Sequence, residues 1–326
     1  MWFRNIFGAS EGLASRQAGP GSKGPSELVL SAHALRQLNR MQLNTHPDLS
    51  GYAGGLRPSQ RRKPAYDFRE YRVYTPGDDV RFVDWKASGR QEHIFIKQGE
   101  QQKDAAVYVL LDCSASMVWG EPPKFQALLS IAAALGYLAL AQGDRLMVVP
   151  LFDRARKFPA SLQPLGPIHG KGLVPHLLNY LRALPFRGQV DLAQSLAGFA
   201  RRYNIRGGLV VVLSDLLGEQ DLAKGLASLP LPTWNLVICH LLHPAELNPV
   251  VRGDFEMQDI ETGQMKRYAV TDKAISTYRQ RLQAWLNSLE ATCMERKARY
   301  TMIPTDWHLE SQIIPHLREV NVVKPQ

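Results

Sequence analysis

Short runs of consecutive apolar residues recur between residues 105 and 242, and stretches with helical spacing separate them. Runs of this length and composition are typical of strands that are buried on both faces of a parallel sheet. The predicted strands are 105–111, 145–152, 208–214 and 234–242, and the predicted helices between them are 123–142, 171–184, 191–204 and 220–228. Strands that alternate with helices in this way predict an α/β fold with a doubly wound, mostly parallel sheet.

The pattern changes on both sides of this region. After it, the sequence predicts two short strands around the turn 261–264, a long amphipathic helix at 272–298, a strand at 299–303 and a helix at 306–318. Before it, residues 26–42 have helical spacing with Ser26 as the N-cap. We therefore divide the chain into an N-terminal helix with a flexible basic segment (1–65), a charged segment that packs on the core (66–103) and an α/β domain (104–320).

The composition is that of a globular protein with an excess of basic residues. Hydrophobic residues make up 45% of the 326 residues, and 39 Lys+Arg stand against 30 Asp+Glu, a formal net charge of +9. Residues 1–103 contain 16 Lys+Arg and 10 Asp+Glu, so most of the excess lies there. Arg57 and the run Arg61-Arg62-Lys63 leave open a nucleic-acid or anionic-surface partner, although this segment lacks the regularly interleaved aromatic residues of single-strand binders.

The sequence predicts a cytoplasmic protein without a transmembrane segment. The longest apolar stretch, residues 127–141, is shorter than the roughly 20 residues that cross a bilayer, so it predicts a buried helix. The first residues lack the apolar stretch and cleavage site of a secretory signal. The three cysteines, Cys113, Cys239 and Cys293, are odd in number and form no C-x-x-C pair, which favours a reducing compartment.

A candidate ligand-binding motif follows the first predicted strand, where residues Asp112-Cys113-Ser114-Ala115-Ser116 have the pattern D-x-S-x-S. Ligands of open α/β sheets gather at the carboxyl ends of the strands, where one carboxylate and two hydroxyls can converge. Hard oxygen donors of this kind suit Mg²⁺ or Mn²⁺. Asp215 ends the strand 208–214 and is expected nearby. The alternative is that the serines cap the following helix or turn and that Asp112 binds only backbone.

This pattern resembles the metal-ion-dependent adhesion site (MIDAS) of von Willebrand factor A-type domains. The resemblance implies that Ser114 and Ser116 bind the metal directly, with Asp112 in the same motif, and that Asp215 acts mostly through water. A threonine from a later loop completes the family's site, and here that loop is residues 187–192 with Val190 at the threonine position. One hydroxyl ligand is therefore missing, and Asp191 is a candidate for water-mediated compensation.

A second resemblance lies in residues 66–90, where acidic, basic and aromatic residues alternate around Pro76-Gly77. By charge alone the segment predicts an ion-pair network that pins it to a domain. The sequence of this segment resembles the signature of the bacterial family named domain of unknown function fifty-eight. The matching residues are Arg72, Tyr74, Pro76, Gly77, Asp78, Asp79, Arg81, Asp84, Trp85, Lys86, Ser88 and Arg90. The resemblance continues to about residue 318.

These resemblances imply a non-enzymatic binding module. A-type domains capture a partner carboxylate through an open metal position, and members of the second family are commonly encoded beside MoxR-type AAA+ ATPases. The implied function is that of an adaptor or co-chaperone for such an ATPase and an unidentified client protein. Two alternatives stay open: anion binding through the basic N-terminal segment, with nucleic acid less favoured, and a metal-dependent hydrolase built on Asp112 and Asp215. Cys239, His240 and His243 have a spacing that zinc could use, but a structural role is favoured.

Overall fold

The structure is a computed structural model that describes residues 30–45, 70–75, 80, 83–89, 93–98, 105–152, 163–203, 208–217, 222–229, 234–250, 252–258 and 265–326. Its strands are β1 Met41–Leu43, β2 Glu70–Val73, β3 Phe95–Gln98, β4 Ala106–Asp112, β5 Arg145–Leu151, β6 Leu165–Ile168, β7 Gly208–Ser214, β8 Trp234–Leu242, β9 Gly253–Gln258, β10 Met265–Val270, β11 Arg299–Pro304 and β12 Val323–Pro325. Its α-helices are α1 Ala32–Leu38, α2 Trp85–Ser88, α3 Lys124–Ala141, α4 Val174–Arg182, α5 Leu192–Arg202, α6 Leu222–Ala227, α7 Pro244–Leu247, α8 Asp272–Glu295 and α9 Ile314–Glu319.

A six-stranded sheet with the strand order β11-β8-β7-β4-β5-β6 forms the centre of the larger of two compact units. Neighbouring strands from β11 to β5 are parallel, and the edge strand β6 pairs antiparallel with β5. β4, β7 and β8 are buried along their whole length, as their continuous apolar runs predict. The prediction of an α/β fold with a mostly parallel sheet is confirmed.

Helices cover both faces of this sheet. Val107 and Val109 of β4 pack in one apolar cluster with residues of α1, α3, α4 and α9, whereas Tyr108 and Leu110 pack in a second cluster with residues of α5, α6 and α8. Successive side chains of a strand point to opposite faces, so one continuous apolar run serves both clusters. The sheet is therefore enclosed between two helical layers.

The helix α3 is long and apolar enough, by length and composition, to cross a membrane. However, 83% of it is buried inside the molecule, and its leucines and alanines pack in the first apolar cluster. Its apolar residues therefore already have protein partners, which agrees with the buried helix that the sequence predicts.

The N-terminal helix differs from its prediction. α1 begins at Ala32 and its N-cap is Ser31, whose side chain accepts from the backbone N–H groups of His33 and Ala34; Ser26 lies outside the described residues. β1 follows and pairs antiparallel with β12 at the other end of the chain. The described part of the predicted N-terminal segment 1–65 thus belongs to the same compact unit as the α/β core.

The second compact unit spans residues 49–104. In its described part, β2 and β3 form an antiparallel pair in which Glu70 faces Gln98. The short helix α2 has Asp84 as its N-cap, and the Asp84 carboxylate accepts from the backbone N–H groups of Lys86 and Ala87. Ser88 links the helix to β3, because its hydroxyl accepts the backbone N–H of Phe95.

Candidate functional site

The D-x-S-x-S loop and Asp215 meet at the carboxyl edge of the sheet, because β4 and β7 are adjacent parallel strands. From β4 the chain runs outward through β5 to β6 and then returns to β7 on the other side of β4. The two strands therefore flank the point where the winding direction of the sheet reverses, which is where open α/β sheets bind their ligands. The predicted neighbourhood of Asp112 and Asp215 follows from this topology.

Both carboxylate oxygens of Asp112 are hydrogen-bonded, and the side chain is only 5% exposed. Oδ1 accepts the backbone N–H of Ser114 at 2.9 Å, and Oδ2 accepts the hydroxyl of Ser214 at 2.5 Å. Sequence analysis assigned no role to Ser214, although it directly precedes Asp215 and ends the same strand. The hydrogen bonds fix the orientation of the Asp112 carboxylate at the strand end.

The two motif serines lie side by side. Their Oγ atoms are 2.9 Å apart, and both side chains are buried. Ser114 stands at the start of a short 3₁₀ turn, Ala115–Val118, but it makes no side-chain capping bond there. Ser116 instead hydrogen-bonds to Ser114, and either hydroxyl could be the donor. Ser114 thus occupies the N-cap position without a side-chain capping bond, and Asp112 accepts a backbone N–H, as that alternative expects.

The loop that carries Val190 lies against this motif. The backbone N–H of Ala115 donates to the carbonyl of Gly188, and the N–H of Arg187 donates to the carbonyl of Cys113, both at 2.9 Å. Val190 is buried in the second apolar cluster. Asp191 is the N-cap of α5, and its Oδ1 accepts the backbone N–H of Gln194 at 2.8 Å. The loop is thus placed as the resemblance implies, but its side chains serve packing and capping.

A buried lysine lies beside the acids. Lys124, the first residue of α3, has no exposed surface, and its Nζ donates to Asp215 Oδ2 at 2.7 Å and to Glu246 Oε1 at 2.8 Å. Neither Lys124 nor Glu246 was among the site residues predicted from the sequence. A signal was present, because a lysine in the first turn of an otherwise apolar helix opposes the helix dipole and needs compensation.

Hydrogen bonds at the start of α7 fix the side chain of Glu246. Its Oε2 accepts the backbone N–H of His243 at 2.7 Å, and the His243 ring accepts from the N–H of Ala245, so the two residues form a capping box for α7. The hydroxyl of Tyr278 in α8 donates to the Glu246 carbonyl at 2.6 Å. The carboxylate that faces Lys124 is therefore positioned by both α7 and α8.

Burial and charge shift the pKa values of these groups in opposite directions. Burial, reinforced by the charge of Asp215, raises the pKa of Asp112 to about 6. Burial also raises the pKa of Glu246. Burial alone would raise the pKa of Asp215, but the Lys124 ammonium holds it below its usual value. Burial alone would lower the pKa of Lys124, but Asp215 and Glu246 keep it above its usual range.

The donor set fits a small divalent cation. The Ser114 and Ser116 oxygens are hydrogen-bonded to each other at 2.9 Å, a separation that adjacent ligands of an octahedral Mg²⁺, about 2.9 Å apart, would also have. The ammonium of Lys124 pairs with two of the three buried carboxylates, those of Asp215 and Glu246, whereas Asp112 accepts from a backbone N–H and a hydroxyl. The described residues contain no group of three or more His, Cys, Asp or Glu side chains that could hold a metal. An ion here would depend on acids and hydroxyls together.

The histidines and cysteines near this edge have structural partners. His240 places Nε2 2.9 Å from the backbone carbonyl of Asp215 and Nδ1 2.7 Å from the Tyr300 hydroxyl, and burial lowers its pKa to about 4. Cys239 is buried, and burial raises the pKa of its thiol to about 12. Cys113 is buried as well, with its thiol directed at the Leu111 carbonyl. The favoured structural role of these residues agrees with their surroundings.

The signature residues of the second unit are described in part. Asp84 caps α2, Trp85 is 69% exposed and Lys86 is exposed. Arg72 lies in β2. Asp78, Asp79, Arg81 and Arg90 lie outside the described residues, as do Arg57 and the basic run 61–63. The predicted ion-pair network and the basic anion-binding segment therefore stay predictions.

Comparison with known proteins identifies relatives over most of the chain. The family described as "Protein of unknown function DUF58" matches residues 70–286. Proteins of Mycobacterium bovis (Mb1516) and Mycobacterium tuberculosis (Rv1480), both described as uncharacterized, are 28% identical over 242 residues, which is 73% of this chain and 74% of theirs. The matched region includes the signature segment and the strand-end acids.

Two solved structures also match at low similarity. One is the conserved hypothetical protein BatB from Bacteroides thetaiotaomicron, with 10% identity, a TM-score of 0.39 and coverage of 66% of this chain and 98% of that one. The other is described as an aerotolerance-related membrane protein from Bacteroides fragilis, with 14% identity, a TM-score of 0.39 and coverage of 67% and 98%.

Proposed function

The chain belongs to the family of proteins of unknown function DUF58, and we propose that it is a non-enzymatic protein-binding module. Its binding site is the carboxyl edge of β4 and β7, in an arrangement similar to the MIDAS of von Willebrand factor A-type domains. The observation that carries the proposal is that Asp112, Ser114, Ser116 and Asp215 all lie buried at the carboxyl ends of the adjacent strands β4 and β7.

In this proposal Mg²⁺ or Mn²⁺ is held by Asp112, Ser114 and Ser116, with Asp215 behind them. A bound ion of this kind supplies a positive charge with positions open to oxygen ligands, and an acidic side chain of a partner protein is the natural ligand for it. Asp112 stays oriented by its bonds to Ser114 and Ser214. No nucleophile with an adjacent base takes part, because the function is capture of a partner.

The partner follows from the family resemblance. We propose that the module acts as an adaptor or co-chaperone for a MoxR-type AAA+ ATPase and presents a client protein to it, with a location in the cytoplasm. The three cysteines support that location, since Cys113, Cys239 and Cys293 are buried free thiols, which a reducing compartment maintains.

The proposal predicts that Asp112→Asn and Ser114→Ala reduce capture of the ATPase or client at least about tenfold, while the protein stays folded. The measurement is a pull-down from the native host's lysate with Mg²⁺ or with EDTA, followed by a binding curve with the purified partner. Ser130→Ala is the matched control, because its hydroxyl bonds only to the Gln126 carbonyl within α3. Equal capture by wild type and both site variants, or capture that EDTA does not change, would contradict the proposal.

A further inference from the structure

The lysine at the start of α3 has a place in the site that the resemblance does not supply. Lys124 is fully buried, and two carboxylates from distant parts of the chain lie within 2.8 Å of its ammonium. A buried ammonium needs such partners, because burial without them is costly. Since one of these partners is Asp215, the lysine is tied directly to the proposed metal site.

We infer that Lys124 is the resident cation of this site and limits how tightly the site holds a divalent ion. The inference rests on the proposed function and names the residue that tunes it. Its ammonium neutralises the carboxylate of Asp215. Asp112 and the two serines therefore remain as the direct ligands of a divalent ion. A weakly held ion keeps open positions, and an open position is what a partner's carboxylate requires.

The first part of the inference, that Asp215 is occupied by Lys124, rests on the hydrogen bonds of Asp215. Its Oδ2 accepts from Lys124 at 2.7 Å, and its Oδ1 accepts the backbone N–H of Leu217 at 3.2 Å. Both oxygens are therefore occupied by donors from the protein. The charge of Asp215 is therefore paired with Lys124 and is not free to bind a second cation at the same oxygen.

The second part of the inference is that Glu246 offsets part of the positive charge of Lys124. It contacts Lys124 at 2.8 Å, and its other oxygen is fixed by the backbone of His243. Its negative charge shares the ammonium with Asp215 and offsets part of the repulsion between Lys124 and a bound divalent ion. Charges in a buried site act on one another more strongly than in water, so a change of one unit alters ion affinity measurably.

These two parts of the inference predict opposite effects of two neutral substitutions. Lys124→Gln removes the positive charge and frees Asp215, so the affinity for Mg²⁺ rises at least about tenfold. Glu246→Gln removes a negative charge and leaves the ammonium paired with Asp215 alone, so the affinity falls about tenfold. Loosening of the site by either substitution would instead weaken binding in both variants.

The experiment is isothermal titration of the full-length protein with MgCl₂, with folding checked by circular dichroism. Lys273→Gln is the charge-matched control, because Lys273 is exposed at the start of α8. The double variant Lys124→Gln/Asp215→Asn tests whether Lys124 acts through Asp215. The gain in Mg²⁺ affinity should vanish when Asp215 has no charge to release. If Lys124→Gln does not fold, Glu246→Gln decides, and unchanged or tighter binding in that variant overturns the inference.

The outcomes separate this inference from the proposed function. Mg²⁺ binding by the wild type that weakens in Lys124→Gln overturns the inference and leaves the proposed site standing. Binding that appears only in Lys124→Gln supports the inference and overturns the proposal that the wild-type site works through a metal. No binding in either protein overturns both.

Discussion

At the scale of single residues, strand ends were predictable and long-range partners were not. Asp112 and Asp215 follow continuous apolar runs, so the sequence alone indicates that they reach the same edge of a parallel sheet. Lys124 meets carboxylates 91 and 122 positions further along the chain. No local pattern encodes such a pairing, because it depends on the order of the strands and on where α7 lies.

Ser214 supplies a stability test at this scale. Its hydroxyl donates to the buried carboxylate of Asp112 at 2.5 Å and accepts the backbone N–H of Leu216. Ser214→Ala leaves both groups without that partner, and we expect the free energy of unfolding to fall by about 2 kcal/mol, as for other hydrogen bonds to buried charges.

Urea denaturation of Ser214→Ala beside Ser130→Ala checks this expectation. Ser130 bonds back to a carbonyl of its own helix, and alanine is favoured in a helix, so the control should change stability by less than about 0.5 kcal/mol. Equal stability of the two variants would show that the Ser214–Asp112 bond contributes nothing to the site.

At the scale of secondary-structure elements, the strongly periodic segments were predicted best. β7 and β8 have the predicted bounds, and α3 differs by one residue at each end. The edge strand β6 was missed because Gly166 and Pro167 interrupt its pattern. Proline is tolerated on an edge strand, where one side of the backbone needs no sheet partner. α1 was predicted too long at both ends, because Ser31 is its N-cap and the helix ends at Leu38, before the strand β1.

The role of α3 as a core helix can be tested directly. Leu135 is fully buried in the first apolar cluster. Leu135→Ala should lower the free energy of unfolding by about 2–5 kcal/mol in detergent-free buffer, because it removes buried methyl groups and leaves a cavity. Gln126→Ala, at an exposed position of the same helix, should change it by less than about 0.5 kcal/mol. Equal effects of the two substitutions would contradict the packed position of α3.

At the scale of the whole molecule, composition and topology point to different chemistry. The net charge of +9 suggested an anionic partner, but the residues that carry the proposed chemistry are acids and hydroxyls at the turning point of the sheet. The structure groups the chain into two compact units, and the predicted three-part division stays a prediction. The described residues 30–45 belong to the core unit, and 49–104 form a unit of their own.

The central claim is that this edge of the sheet holds a divalent ion through the D-x-S-x-S motif. Titration of the full-length protein with Mn²⁺, followed by electron paramagnetic resonance of the free ion, tests it most directly. The account predicts one saturable site per chain, competed by Mg²⁺ and weakened at least about tenfold by Asp112→Asn, a loss of one charged ligand. Equal Mn²⁺ binding by the wild type and Asp112→Asn, or no saturable binding by the wild type, would contradict it.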